Sequence, residues 1–207
     1  MLTMDGMNSS ADIETGHLTA IRRIQVVTVL WMGIEVVVSA VVAARAHSIA
    51  VLAFGGDSAI ELLSGMAVLI RFSGTRLTER RAARLTAVLL YSLAAFIVCA
   101  SAVSLLKLWN PPQTSYLGMG MLLAAAAVMP WLARRKRQLS AAAGSSALAA
   151  DAVQSSVCAW LAWIALAGLA LNAVFGISWA DPLAALAITP IIIKEAHEAW
   201  NERACCC

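Results

Sequence analysis

The sequence predicts an all-α membrane protein with six transmembrane helices and both termini in the cytoplasm. Three observations carry that prediction: an apolar composition, six long apolar segments, and an uneven placement of Lys and Arg. Hydrophobic residues make up 61% of the 207 and charged ones only 13%, with a mean hydropathy of +0.80. A soluble domain is nearer half apolar and a quarter charged. A net charge of +3 on such a chain bears on membrane topology, and no nucleic-acid partner is expected.

The elements follow in order. Residues 1–19 (MLTMDGMNSSADIETGHLT) are polar and contain acids. Without an apolar h-region they are not expected to be a cleavable signal, so the first membrane helix serves as the insertion signal. Segments near Ile24–Ala44, Ile49–Ile70, Leu85–Leu106, Tyr116–Leu132, Leu148–Leu171 and Ile177–Ile193 are each apolar enough for a span of about 30 Å. Short connectors such as ARAHS and NPPQTSY leave no room for a soluble domain between them. The expected organisation is a polar N-terminal segment (1–19), a six-helix membrane domain (20–193) and a short cytoplasmic tail (194–207) ending in Cys205, Cys206 and Cys207.

Orientation comes from the basic residues. With both termini inside, only Arg45 and Lys107 of the 15 Lys and Arg fall outside. The basic stretches FSGTRLTERRAAR and ARRKRQLS then lie on the cytoplasmic side, as the positive-inside rule requires. The expected location is a membrane crossed several times. Trp109, Trp131 and Trp179 fall near span ends and fit an aromatic belt; Trp31, Trp160 and Trp163 fall deeper and predict helix–helix contacts.

Against that background the acids stand out. Glu35 lies in the first predicted span, Asp57 and Glu61 in the second and Asp151 in the fifth. Each costs roughly 2.5–3.5 kcal/mol at a bilayer centre. The sequence places no basic residue deep in a span, so a buried salt bridge is not expected and a bound cation is the plainer compensation. Asp57 and Glu61, four apart, share one helix face. In LAADAVQSSVCAW, Asp151, Gln154, Ser155 and Cys158 fall at i, i+3, i+4 and i+7, again on one face. Two such stripes facing each other would offer carboxylates and softer groups to a divalent cation. The set suits four-coordinate Zn2+, and its carboxylates would also accept Mn2+. Gln154 and Ser155 read equally well as helix-packing residues, and Cys158 as a small apolar one. Asp181, just before Pro182, reads as a helix N-cap.

At these residues the chain resembles the cation diffusion facilitators, proton-coupled exporters of divalent transition metals. The stretch SIAVLAFGGDSAIE places Asp57 and Glu61 in the two ligand positions of that family's second helix. In the fifth helix Asp151 fills the first ligand position and Ser155 replaces the second acid. Trp179-Ala180-Asp181-Pro182 repeats a motif at the start of the sixth. The family's cytoplasmic domain is replaced by KEAHEAWNERACCC, which is similar to a short bacterial branch with an acid in the first helix, here Glu35. The resemblance implies export of Zn2+, or of Mn2+, Co2+ or Cd2+, from the cytoplasm by proton antiport, and a homodimer in the bilayer. It implies no prosthetic group; the metal is cargo. Glu35, Gln154, Ser155 and Cys158 are candidates to complete the shell around Asp57, Glu61 and Asp151.

Near the end of the chain, His197 with Cys205, Cys206 and Cys207 could capture a soft or borderline metal, although the spacing matches no closed zinc site. A membrane metal sensor or regulatory subunit without transport is the alternative reading. An enzyme is not expected, since the spans hold no His pair and no nucleophile–base pair.

Overall fold

The computed structural model describes residues 4–72, 79–106, 111–144 and 146–201. These form six α-helices and no strand: α1 (Met4–Ala46), α2 (Ile49–Phe72), α3 (Glu79–Leu105), α4 (Tyr116–Ala143), α5 (Ser146–Phe175) and α6 (Ala180–Trp200). Among the described residues, four stretches, Thr19–Ala46, Ala87–Leu105, Tyr116–Ala142 and Asp151–Phe175, are long and apolar enough to cross a membrane. Large apolar side chains face outward on α1 and α5. Leu30, Val37, Trp160 and Val174 are each more than half exposed.

The helices start and stop where backbone chemistry dictates. The α1–α2 connection is only His47 and Ser48, and His47 adopts a left-handed φ of 53° to reverse the chain. Ahead of α4, Pro111 and Pro112 prevent an earlier start. Ser115 then caps the helix, its Oγ accepting the Gly118 N–H at 3.2 Å. Gly144, at φ 60°, closes the far end with its N–H on the Ser140 carbonyl. The segment before α4 is tied down by the Gln113 N–H on the Ala46 carbonyl at 2.7 Å. The Asn172 amide donates to the Pro112 carbonyl at 2.9 Å. One end of α1, α4 and α5 is thereby joined.

Packing is densest between α4 and α5 and between α3 and α6, with α2 touching α1, α3, α5 and α6. Small residues set the closest approaches. A Cβ on Gly55 would stand 2.6 Å from the Ser39 Cβ of α1, and one on Gly168 would stand 2.5 Å from the Ala184 Cβ of α6. α2 runs unbroken through Gly55 and Gly56, so the pair serves close packing in a continuous helix.

Two expectations are revised. Helices overrun the predicted spans: α4 continues past Leu132 to Ala143, because Ala, Arg, Lys and Gln are strong helix formers. Trp160 and Trp163 are 66% and 50% exposed, facing outward instead of into helix contacts, and Trp31 alone of the three turns inward. Trp109 lies outside the described residues.

Candidate metal centre

α2 carries Asp57 and Glu61 on its inward face, where both are 1% exposed. Gly55 makes this depth possible by letting α2 lie against α1. From the opposite side α5 delivers Cys158, which is fully buried. One ligand atom from each of the three, two carboxylate oxygens and the Cys158 Sγ, lie within 4.8 Å of one another. Among the described residues this is the one group of three such side chains close enough to share an ion. Asp57 Oδ1 and Glu61 Oε2 are buried with no hydrogen-bond partner in the protein. A buried polar atom left unpaired costs about 1–3 kcal/mol, more when charged. These oxygens are therefore acceptors open to a cation, a proton or a water.

Glu35 stands beside the centre but is occupied. Its Oε1 accepts from the Trp31 indole N–H one turn away, and its Oε2 accepts from the Ser58 hydroxyl at 3.0 Å. Ser58 also contacts Cys158 Sγ at 3.9 Å, so α1, α2 and α5 meet through one hydroxyl.

Asp151 is engaged elsewhere. Its Oδ2 forms an ion pair with Lys136 Nζ at 2.9 Å and accepts from Gln25 Nε2 at 2.8 Å. The expectation that no basic residue reaches the interior is thus corrected. Lys136, taken from sequence as part of a loop, is fully buried on the extended α4. Lys136 Nζ also donates to Ser155 Oγ at 2.8 Å. Ser155 in turn can donate to Glu61 Oε1 at 3.1 Å or to the Asp151 carbonyl at 3.2 Å. A continuous polar chain therefore runs from Glu61 through Ser155 and Lys136 to Asp151 and Gln25, linking α2, α5, α4 and α1. Gln154 is half-buried and belongs to neither the three-residue cluster nor this chain of bonds.

The outer members of the predicted set resolve differently. Asp181 does not cap its own helix, whose N-cap is Trp179 without a side-chain bond. It caps α2 instead: Oδ1 accepts from the Ser48 hydroxyl, and Oδ2 from the Ile49 N–H at 2.8 Å and the Ala50 N–H at 3.4 Å. His197 is exposed and bonded to Asn201, the residue that caps the end of α6. Cys205, Cys206 and Cys207 lie outside the described residues.

Glu195 was assigned to the tail from sequence. On α6 it is half-buried and keeps Oε2 buried without a hydrogen-bond partner in the protein. A periodicity signal existed for both overlooked residues. Lys136 continues the buried stripe Leu122, Ala125, Met129, Leu132, and Glu195 follows Ile188 and Ile192 at helical spacing.

No family model matches this sequence, and no curated protein matches it either.

Proposed function

We propose that the chain is a six-span membrane transporter of a divalent transition metal, of the cation diffusion facilitator type, with both termini cytoplasmic. Its cargo site is the Asp57–Glu61–Cys158 centre. The observation that carries this reading is the convergence of two acids and a thiol, deep among apolar helices, with carboxylate oxygens left unpaired. Two carboxylates balance one divalent ion. The sulfur biases the set toward Zn2+ and Cd2+ over Mn2+, since thiolates favour the softer ions.

Coupling follows from the donors themselves. Carboxylates must lose protons to take metal, so the two compete for the same atoms. Open to the cytoplasm the centre loads metal; open to a more acidic exterior it takes protons and releases the ion. Rocking of helices around a fixed central site is the general way such exchange is accomplished. The location proposed is a bacterial inner membrane, and a homodimer is the assembly proposed.

The test is flux into proteoliposomes, with Zn2+, Cd2+, Co2+ and Mn2+ each offered with and without a pH gradient. Zn2+ or Cd2+ should move, faster when the opposite side is acidic, and Asp57→Ala should abolish the movement. Metal that binds without crossing under either gradient would replace the transporter by a membrane metal sensor.

A further inference from the structure

The Lys136–Asp151 ion pair is unusual for its position. Lys136 is 0% and Asp151 7% exposed, and the pair sits one hydroxyl away from Glu61. Removing either partner from such a pair leaves a buried charge uncompensated. We propose that Lys136 is a tethered counter-cation, which holds Asp151 out of the metal shell and leaves the Asp57–Glu61–Cys158 centre to accept one divalent ion. This rests on the reading of that centre as a cation site.

Charge and geometry both support it. Asp151 Oδ2 already receives two donors, Lys136 Nζ and Gln25 Nε2, so a metal at that oxygen would have to displace both. Ser155 has a lone pair engaged by Lys136 and its proton directed to Glu61 or the Asp151 carbonyl, and it cannot ligate without breaking the chain. Asp151 is then balanced by Lys136, which leaves the divalent cargo to the Asp57, Glu61 and Cys158 donors. Glu35 is withheld in the same manner by its bonds from Trp31 and Ser58. Lys136 is thus a positioning residue: it contacts no cargo, and acts through Asp151 and through Ser155 on Glu61.

A four-member mutant cycle tests this on the full chain in detergent, with Zn2+ affinity and stoichiometry measured by calorimetry at one pH. Asp151→Asn frees Lys136 to turn toward Glu61, and should weaken Zn2+ binding roughly tenfold or more through charge repulsion. Lys136→Gln leaves Asp151 uncompensated beside the centre and should tighten binding by roughly the same factor. The double variant, Lys136→Gln with Asp151→Asn, should return to within about threefold of wild type, at one ion per chain. A purely structural role would not give opposite signs in the two single variants. If the double variant binds as weakly as Asp151→Asn alone, Asp151 is itself a ligand and the proposal is overturned. An unchanged affinity in Lys136→Gln overturns it equally. Should Lys136→Gln fail to fold, the double variant, whose buried charge is balanced, decides alone. Absence of Zn2+ binding to the wild-type chain would instead sink the transporter reading, a separate failure with its own signature.

Discussion

Asp181 and Asp57 are both acids buried to within 1% inside apolar helices, yet they are opposite kinds of residue. Asp181 spends both oxygens on the first turn of α2, receiving one hydroxyl and two backbone N–H groups. Asp57 keeps Oδ1 unpaired, as Glu61 keeps Oε2. Burial alone therefore says little about role; what separates a structural acid from a site acid is whether the protein itself satisfies it. The first kind contributes stability through its hydrogen bonds. The second is a standing cost that the protein's own groups leave to a cation, a proton or a water to relieve.

Substitutions can break this comparison. Asp57→Asn should lower Zn2+ flux by roughly 100-fold or more, since even supporting groups of a metal shell are worth roughly 10–100-fold. Its melting temperature in detergent should hold or rise, because an unsatisfied acid has been removed. Asp181→Ala should do the reverse. It loses an inter-helix cap and orphans the Ile49 and Ala50 N–H groups, and should cost about 2–4 kcal/mol of stability while flux per folded molecule persists. Similar flux losses in both, at equal folded yield, would erase the distinction drawn here. A smaller effect is expected at the third donor. Cys158→Ser should weaken Zn2+ and Cd2+ binding by roughly tenfold and Mn2+ hardly at all, read by competition between the ions. The smallest belongs to the exposed pair Lys194–Glu198, whose nitrogen and oxygen are 3.9 Å apart with side chains 77% and 48% exposed. Glu198→Gln should change stability by less than about 0.5 kcal/mol, a control for charge removal without burial.

Much of this was legible in the sequence because it is periodic. Six helices follow from six apolar runs, and the observed starts of α2 and α4, at Ile49 and Tyr116, coincide with the predicted ones. The shared face of Asp57 and Glu61 follows from i, i+4 spacing, and Cys158 was placed by its phase on α5. What escaped depended on partners remote in the chain. Asp181 caps a helix that begins 132 residues earlier, a relation no local pattern encodes. Lys136 was concealed by its company. In ARRKRQ its neighbours Arg134, Arg135 and Arg137 are exposed, and the charge of the run suggested a solvated loop. Only helical phase distinguishes the one member that turns inward. Trp160 and Trp163 were misjudged for a related reason: depth along a helix does not specify which way a side chain faces.

The Asp181 cap also has a mechanical meaning. It fastens the first turn of α6 to the first turn of α2, so at that end the two helices cannot separate without losing three hydrogen bonds. A tilt of one helix about that fastening, like the arms of tweezers about their joint, would leave those bonds in place. α2 has 24 residues and is about 36 Å long, so a tilt of about 10° around the joint would carry its far end roughly 6 Å. Glu61, halfway along the arm, would travel about half as far, a displacement comparable to the spacing of the ligand atoms themselves.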